Sequence, residues 1–227
     1  MIEIEAKFSV PNNALFTKYA QCNQIGEFYL GQVNTNHVVD KYLDTIDDDI
    51  WNAGYKMRVR YGTEHSCITI KSAISAHDRF SVRREIEFEL SSEPDDILQW
   101  ANQEAMNLVI PIVAGKPLNV KVELKQVRSV RDLFYDESCI GMLSLDDVVV
   151  CYGGQELDEF CVLEIEVCNN DQLFALDSIS KQLVSDGLFI QDVAKVERAV
   201  EAVEEFIQGT SNYVAGLSCR GFNRACT

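Results

Sequence analysis

The sequence lacks the long apolar segment that a membrane protein needs. No apolar run among its 227 residues approaches the roughly 20 residues required to span a bilayer. The stretch after Met1 is acidic and alternating, whereas a secretory leader is basic and then apolar. The sequence therefore predicts a soluble, cytoplasmic protein without a membrane partner.

The cysteines lack the spacing of a metal site or a disulfide framework. The chain has eight of them, scattered along its length, with no C-x-x-C pair and no neighbouring histidine. This distribution is typical of free thiols in a reducing compartment. It excludes a zinc-ribbon or disulfide-stapled class of protein.

The chain also lacks a basic excess. Its formal net charge is -16, which argues against binding to DNA or RNA through a general basic surface. Net charge describes the whole surface, however, and a site can have the opposite sign. With 47% hydrophobic residues, the chain has enough apolar side chains for a core.

Period-two alternation of apolar and polar residues predicts mainly strands. We expect strands at 2–8, 38–44, 55–61, 66–72, 81–90, 120–135, 141–152 and 160–168, with a turn at 76–78. Capping and turn residues predict helices at 11–24, 93–106, 171–185 and 195–207. No internal repeat or low-complexity linker is present, so we expect one domain over 1–207 and a poorly ordered tail over 208–227.

Several of these strands carry strong charge on one face only. In the third strand, Lys56, Arg58 and Arg60 alternate with Met57 and Val59. Successive side chains of a strand point to opposite faces, so each set occupies one face. The same division recurs along four further strands, which carry Glu3, Glu5, Lys7, Lys71, Arg83, Glu85, Glu87, Glu164 and Glu166.

Two architectures can accommodate such strands. In the first, the charged faces meet solvent and the protein is an acidic β-barrel scaffold. In the second, the amphipathic helices cover an apolar outer wall and the charged faces line the lumen. We favour the second, because the helices need an apolar partner and an eight-stranded barrel can hold one small ligand. The predicted class is therefore α+β, mainly antiparallel β, with a closed barrel and helices packed outside.

The types of charge on these faces suit a metal-bound polyphosphate. Glu3 with Glu5, and Glu164 with Glu166, are i, i+2 pairs that place two carboxylates on one side of a strand. Carboxylate oxygens are the ligands that Mg²⁺ and Mn²⁺ prefer. Guanidinium groups such as those of Arg58 and Arg60 bind phosphate oxygens bidentately.

These residues occur in an order that resembles the CYTH superfamily, the triphosphate tunnel metalloenzymes. The N-terminal E-x-E-x-K strand is present as Glu3-Ile4-Glu5-Ala6-Lys7. The motifs that follow it are Tyr42-Leu43-Asp44-Thr45, Lys56-Met57-Arg58-Val59-Arg60, Ile68-Thr69-Ile70-Lys71, Arg83-Arg84-Glu85-Ile86-Glu87, Ser144-Leu145-Asp146, Leu163-Glu164-Ile165-Glu166 and Lys195-Val196-Glu197-Arg198. The resemblance covers residues 1–205 and implies an eight-stranded antiparallel tunnel.

The resemblance also implies roles for individual residues. The ligands of Mg²⁺ or Mn²⁺ would be Glu3, Glu5, Asp146, Glu164 and Glu166. The triphosphate would be held by Lys7, Arg58, Arg60, Lys71, Arg83, Arg131, Lys195 and Arg198. Glu85 and Glu87 would assist the attacking water, with Lys71 beside them. Arg128 and Arg131 have opposite strand parity, so only one can face inward, and we choose Arg131.

The substrate remains open among triphosphates. The spacing of Arg58, Arg60, Lys71, Lys195 and Arg198 is most similar to bacterial inorganic triphosphatases, which form diphosphate and phosphate. A class IV adenylyl cyclase acting on ATP and a thiamine triphosphatase are the alternatives. A non-catalytic polyphosphate-binding or nucleotide-binding module is a further one, although it would gain nothing from five acids. Many relatives dimerise, so the resemblance is compatible with a homodimer.

Overall fold

A computed structural model describes residues 2–62, 65–72, 75–77, 80–191 and 193–220. The strands are β1 (Ile2–Ser9), β2 (Gln24–Ile25), β3 (Phe28–Leu30), β4 (Asn34–Asp44), β5 (Tyr55–Tyr61), β6 (Ser66–Ser72), β7 (Ser75–His77), β8 (Phe80–Glu89), β9 (Asn119–Tyr135), β10 (Ser138–Tyr152), β11 (Gln155–Val167) and β12 (Phe189–Ile190). The helices are α1 (Asn13–Gln21), α2 (Asp49–Asn52), α3 (Gln103–Val113), α4 (Leu173–Ser185) and α5 (Lys195–Arg220).

Eight of the strands close into a barrel. Their order is β10-β11-β1-β8-β6-β5-β4-β9, and β9 pairs back with β10. Every pairing between neighbours in this ring is antiparallel. The predicted eight-stranded antiparallel barrel is confirmed. The short strands β2, β3, β7 and β12 lie at its margins.

Two tight hairpins set the register of the three longest strands. Asp136 and Glu137 join β9 to β10 with φ of 44° and 65°, and Gly153 and Gly154 join β10 to β11 with φ of 56° and 81°. Positive φ at both central positions gives a turn whose twist matches that of antiparallel strands. The first of these turns, together with a bulge between Cys139 and Gly141 of β10, places Arg128 opposite Asp146 in adjacent strands.

The outer wall of the barrel is apolar and is covered by helices, as the strand faces predicted. One cluster joins outward residues such as Phe8, Leu143 and Leu163 to α1 and α4. A second joins Val59 and Ile70, among others, to α2 and α3. Burying such side chains stabilises a fold by about 1.5–3 kcal/mol each. The covered outer wall leaves the charged faces directed inward.

Several boundaries differ from those expected. The helix predicted at 93–106 is displaced: only a short 3₁₀ turn, Ile97–Gln99, lies in its first part, and α3 begins at Gln103. The side chain of Asn102 caps α3 by accepting the Ala105 N–H at 3.0 Å, which places the helix start nine residues after Glu93. Likewise Asn12 caps α1, so that helix begins at Asn13, after Pro11.

The C-terminal helix differs most from expectation. α5 continues to Arg220, beyond the predicted helix end at 207 and into the segment 208–227 expected as a tail. Residues 221–227 of that tail, and Asp78 of the turn predicted at 76–78, lie outside the described residues, while 75–77 form β7. None of the helices in the described parts of the chain is long and apolar enough to cross a membrane.

The start of α5 packs against the inner face of the barrel. One apolar cluster joins Val196, Ala199 and Val203 of α5 to residues of β9, β10 and β11. The strand residues are Val122, Leu124, Val148, Val150, Phe160 and Val162. These strand residues share the parity of the inward charged residues on the same strands. The first turns of α5 therefore close one end of the barrel, which the expectation of helices packed only outside did not include.

Candidate active site

The barrel encloses a cavity of about 530 Å³. Small-molecule sites commonly measure roughly 300–1,000 Å³. Eight cationic side chains line it, and these are Lys7, Lys56, Arg58, Arg60, Lys71, Arg83, Arg128 and Lys195. Seven acidic ones accompany them, and these are Glu3, Glu5, Glu85, Glu87, Glu104, Glu164 and Glu166. Almost equal numbers of both signs keep these charges compensated away from bulk water.

A first ion-pair cluster lies on β1, β6 and β8. Arg83 donates to Glu3 at 2.6 Å and also to Glu5, while Lys71 donates to Glu3 at 2.6 Å. Lys7 donates to Glu5 at 2.6 Å. Register explains the arrangement, because Glu3 lies directly opposite Arg83 on the neighbouring strand.

Ion pairing stabilises the charged forms of Glu3 and Arg83 in this cluster. Burial alone would raise the pKa of Glu3, but Lys71 and Arg83 outweigh it and lower the pKa to about 2. Burial would lower the pKa of Arg83, and the two glutamates raise it instead. The Glu3 carboxylate is therefore ionised at neutral pH and available to a cation that displaces its partners.

A second cluster lies on β9, β10 and β11 beside the start of α5. Arg128 donates to Asp146 at 2.6 Å and lies 3.6 Å from Glu164. Lys195 donates to Asp146 and, at 3.1 Å, to Glu164. Burial would raise the pKa of Glu164, but Lys195, Lys7 and Arg128 keep it well below its usual value. Lys7 lies 4.0 Å from Glu164 and so connects this cluster to the first.

A third cluster centres on Asp40, which is 1% exposed. Arg60 donates two hydrogen bonds of 2.7 Å to its carboxylate, Gln126 donates one of 2.7 Å, and Arg58 donates one of 3.3 Å. A bidentate carboxylate restricts a guanidinium to one plane. Asp40 thus orients both arginines on the wall formed by β4 and β5.

Three further acids complete the lining. Glu87 accepts a hydrogen bond from Thr69 at 2.9 Å, and Glu85 lies 3.3 Å from the Lys71 ammonium. Burial, together with the negative charge of Glu3, raises the pKa of Glu166 to about 7. Negative charge at Glu166 is therefore incompletely compensated, which favours the binding of an added cation.

The carboxylates are suitable ligands for a divalent cation, but in this structure they are paired with basic side chains. Within the described residues, no three histidine, cysteine, aspartate or glutamate side chains are grouped as a metal site. Two observations nevertheless favour a cation. Asp146 Oδ1 is buried without a hydrogen-bond partner, and the pKa of Glu166 is raised by burial and by its acidic neighbours. A cation beside Asp146 would bind the oxygen that Arg128 and Lys195, which both contact Oδ2, leave uncontacted.

Most residues predicted from the sequence meet in this cavity, but Arg131 does not. Its guanidinium lies outside the barrel and donates to Gly31 O at 2.7 Å, to Asn23 Oδ1 at 2.9 Å and to the carbonyl of Cys22. The pairing of β9 with β10 has no register shift between Arg128 and Arg131, so their side chains lie on opposite faces of the strand. The choice of Arg131 over Arg128 was therefore wrong, and Arg128 is the residue that faces the tunnel.

Arg198 also lies outside the cavity, contrary to the prediction. It donates to Asp158 at 2.8 Å and packs over the Phe160 ring, with its guanidinium carbon 4.1 Å from the ring centroid. One helical turn separates it from Lys195, yet α5 presents only its first residues to the tunnel. The Arg198 side chain forms a half-exposed ion pair with Asp158 at the side of the helix.

Four inward residues were not assigned to the site from the sequence. Asp40, Gln126, Lys56 and Arg128 all face the interior. A signal existed for Asp40 and Lys56, because each lies an even number of positions from an inward residue, Tyr42 and Arg58 respectively. No local signal distinguishes the parity of β9, where polar and apolar residues mix on both faces.

The fold and its lining define a class: antiparallel barrels whose interior carries ordered, opposed charges for a small polyanion. Residues 1–200 match the CYTH domain family, and the chain belongs to that family. No curated protein matches the chain.

Solved structures with the same fold have diverged far in sequence. A Hippeastrum protein, described as a candidate adenylyl cyclase with a dominant triphosphatase activity, is 16% identical, with a TM-score of 0.62 over 86% of this chain and 93% of its own. A candidate adenylate cyclase from Bacillus halodurans is 17% identical, with a TM-score of 0.56 over 86% and 96%. The RNA triphosphatase domain of the mimivirus mRNA capping enzyme is 12% identical, with a TM-score of 0.50 over 81% and 87%. At this identity the likeness establishes the fold.

Proposed function

We propose that the protein hydrolyses a small triphosphate in a divalent-metal-dependent reaction, with inorganic triphosphate as the preferred substrate. The observation that carries this proposal is the cavity of about 530 Å³ with eight cationic side chains around it. A triphosphate brings about four negative charges, which such a lining can neutralise.

The cations are placed to hold a phosphate chain from several sides. Arg58 and Arg60 project from one wall, and Asp40 fixes their orientation. Arg128 projects from β9, two strands from β5, Lys195 projects from the start of α5, and Arg83 and Lys71 project from β8 and β6. A substrate held at several oxygens loses translational and rotational freedom before the reaction. Such positioning supplies much of the acceleration in phosphoryl transfer.

The acids fall into two groups with different proposed roles. Glu3, Glu5, Asp146, Glu164 and Glu166 would hold Mg²⁺ or Mn²⁺, which neutralises charge developing on the phosphate oxygens. Glu85 and Glu87 would orient a water molecule towards the terminal phosphorus and accept its proton. The water oxygen forms a bond to that phosphorus, the bridging P–O bond breaks, and diphosphate leaves.

A substrate without a base or thiamine ring agrees best with the lining. Among the described residues around the cavity, Tyr42 is the single aromatic side chain, and it is enclosed by Arg58 and Asp40. Recognition of a nucleobase or of thiamine commonly uses an exposed aromatic face. This observation supports the proposal of inorganic triphosphate over ATP and thiamine triphosphate.

The test is phosphate release by the purified protein with Mg²⁺ or Mn²⁺, with triphosphate, ATP and thiamine triphosphate offered separately. Glu5→Gln is the control, because it keeps an acceptor for Lys7 while removing a charge. We expect rapid release from triphosphate and a loss of at least about 10³-fold in the variant, the order of effect of removing a catalytic electrostatic group.

Other results would redirect the proposal. Pyrophosphate and cyclic AMP from ATP, without phosphate, would indicate the cyclase reaction. Binding of triphosphate without any turnover would indicate a polyphosphate-binding module. Full activity of Glu5→Gln would refute the assignment of the carboxylates, provided that circular dichroism shows the same fold.

A further inference from the structure

Glu197 occupies an unusual position at the start of α5, because it binds the helix to two other parts of the molecule. Its Oε2 accepts the backbone N–H of Ala194 at 2.7 Å, while its own N–H donates to Ala194 O at 2.9 Å. This is the half of a capping box that the third helical residue contributes. The methyl side chain of Ala194 cannot supply the other half, so the capping of the first turn depends on Glu197.

Lys195 needs this support. It is 8% exposed and lies in the first turn of α5, where the helix dipole disfavours a cation. It reaches Asp146 and Glu164 across the end of the tunnel. An acid in the same turn offsets the dipole and the cation together, and Glu197 is the acid in that turn.

Glu197 also connects α5 to the far wall of the barrel. Its Oε1 accepts a hydrogen bond from Lys56 of β5. In the ring of eight strands, β5 is two places from β9 and four from β11, and the apolar side of α5 packs on β9, β10 and β11. Lys56 is itself held over the Trp51 ring, 4.7 Å from its centroid. The ion pair therefore ties the first turn of α5 to a strand outside that apolar packing.

We propose that Glu197 is a positioning residue that holds Lys195 at the phosphate-binding end of the tunnel by joining the first turn of α5 to Lys56. This inference rests on the proposed function at one point, the contact between Lys195 and the phosphate chain. Apolar packing of Val196 and Ala199 fixes how deeply the helix sits, and the Glu197 contacts fix the orientation of its first turn. Burial would raise the pKa of Glu197, but Lys56 and the Ala194 N–H lower it, so Glu197 is ionised at neutral pH.

The experiment measures the Kd of inorganic triphosphate by calorimetry without metal, for the full chain. Glu197→Gln keeps an acceptor for the Ala194 N–H and removes the charge opposite Lys56. It is compared with the wild type, and again in a Lys195→Ala background. Glu204→Gln, an exposed substitution of the same kind on the same helix, is the matched control.

If Glu197 acts through Lys195, Glu197→Gln raises Kd roughly tenfold in the wild-type background and by less than about twofold beside Lys195→Ala, the non-additivity expected of coupled residues. Glu204→Gln leaves Kd unchanged. An equal loss in both backgrounds would mean a general structural role and would overturn the proposal. Unchanged or tighter binding by Glu197→Gln would also overturn it.

The two proposals fail in different ways. A wild type that binds triphosphate but never hydrolyses it refutes the enzymatic function and leaves the double-mutant comparison intact. A wild type that does not bind triphosphate refutes both. If Glu197→Gln does not fold, Lys56→Met removes the same ion pair from the β5 side, and the same Lys195-dependent loss is expected.

Discussion

The inner faces of β9, β10 and β11 are divided into two regions of opposite character. Towards the middle of the tunnel these faces carry Arg128, Asp146 and Glu164 in one ion-pair cluster. A few residues further along the same strands, the inner faces carry apolar side chains such as Leu124 and Val162, which are fully buried against α5. Strand parity does not change between the two regions.

The difference teaches that a strand face has no single role in this barrel. The charged region is stabilised by compensation, since each buried acid meets a base. The apolar region is stabilised by removal of side-chain surface from water. The two regions should therefore respond differently to mutation and to pH, and the following predictions test that contrast.

The largest effect is expected from Asp40→Asn, in the ion-pair cluster on β4 and β5 that Gln126 of β9 joins to the charged region. Removing the acid leaves Arg58 and Arg60 buried with a weaker partner, which should lower the free energy of unfolding by about 3 kcal/mol at pH 7. Chemical denaturation of the wild type and the variant measures it.

The same variant should also change the response to acid. Burial would raise the pKa of Asp40, but Arg58 and Arg60 hold it below its usual 3.8. The stability from ionised Asp40 is present in full above that usual value and is lost as the pH falls towards the lower folded-state pKa. Below about pH 4 the wild type should therefore lose stability faster than Asp40→Asn. Parallel curves would contradict this role of Asp40.

A smaller effect is expected in the apolar region, from Val162→Ala. Val162 is 0% exposed, and its truncation leaves a cavity beside α5. We expect a loss of about 2 kcal/mol in stability that does not vary with pH, and a change in triphosphate KM of less than about threefold. A KM increase as large as that of a charged-region variant would show that the two regions do not act separately.

The smallest of these effects in free energy is expected for Arg128→Met, which should raise the KM for triphosphate about tenfold, equivalent to about 1.4 kcal/mol. Arg131→Met is the matched control, three residues away on the same strand. It should lower the melting temperature, because the carbonyls of Gly31 and Cys22 lose their donor, and should leave KM unchanged. The reverse pattern would restore Arg131 as the tunnel residue.

The strands and their faces were predictable because each carries a local period-two signal. β5 and β6 occur at the predicted residues, and Arg58, Lys71 and Glu164 face the interior as expected. The helices were less predictable at their ends. Asn102 determines the start of α3 through its side-chain cap, but the acidic cluster at 93–96 offered a competing signal.

The errors in the site have a common origin in long-range geometry. Arg128 and Arg131 are equivalent in local sequence, and only pairing of β9 with β4 and β10 decides which of them faces inward. Arg198 was assigned to the site because it follows Lys195 by one turn. The Arg198 side chain instead extends to Asp158 of β11, which no local pattern shows.

By itself the sequence determined the alternation of charged and apolar faces, the acids and bases available, and the order of the motifs, since these depend on residues close in the chain. Only the tertiary structure decided which charges meet. Barrel closure brings Lys56 of β5 to Glu197 of α5, and Lys71 of β6 to Glu3 of β1. Such contacts depend on the register and closure of eight strands, and the side chains concerned are far apart in sequence.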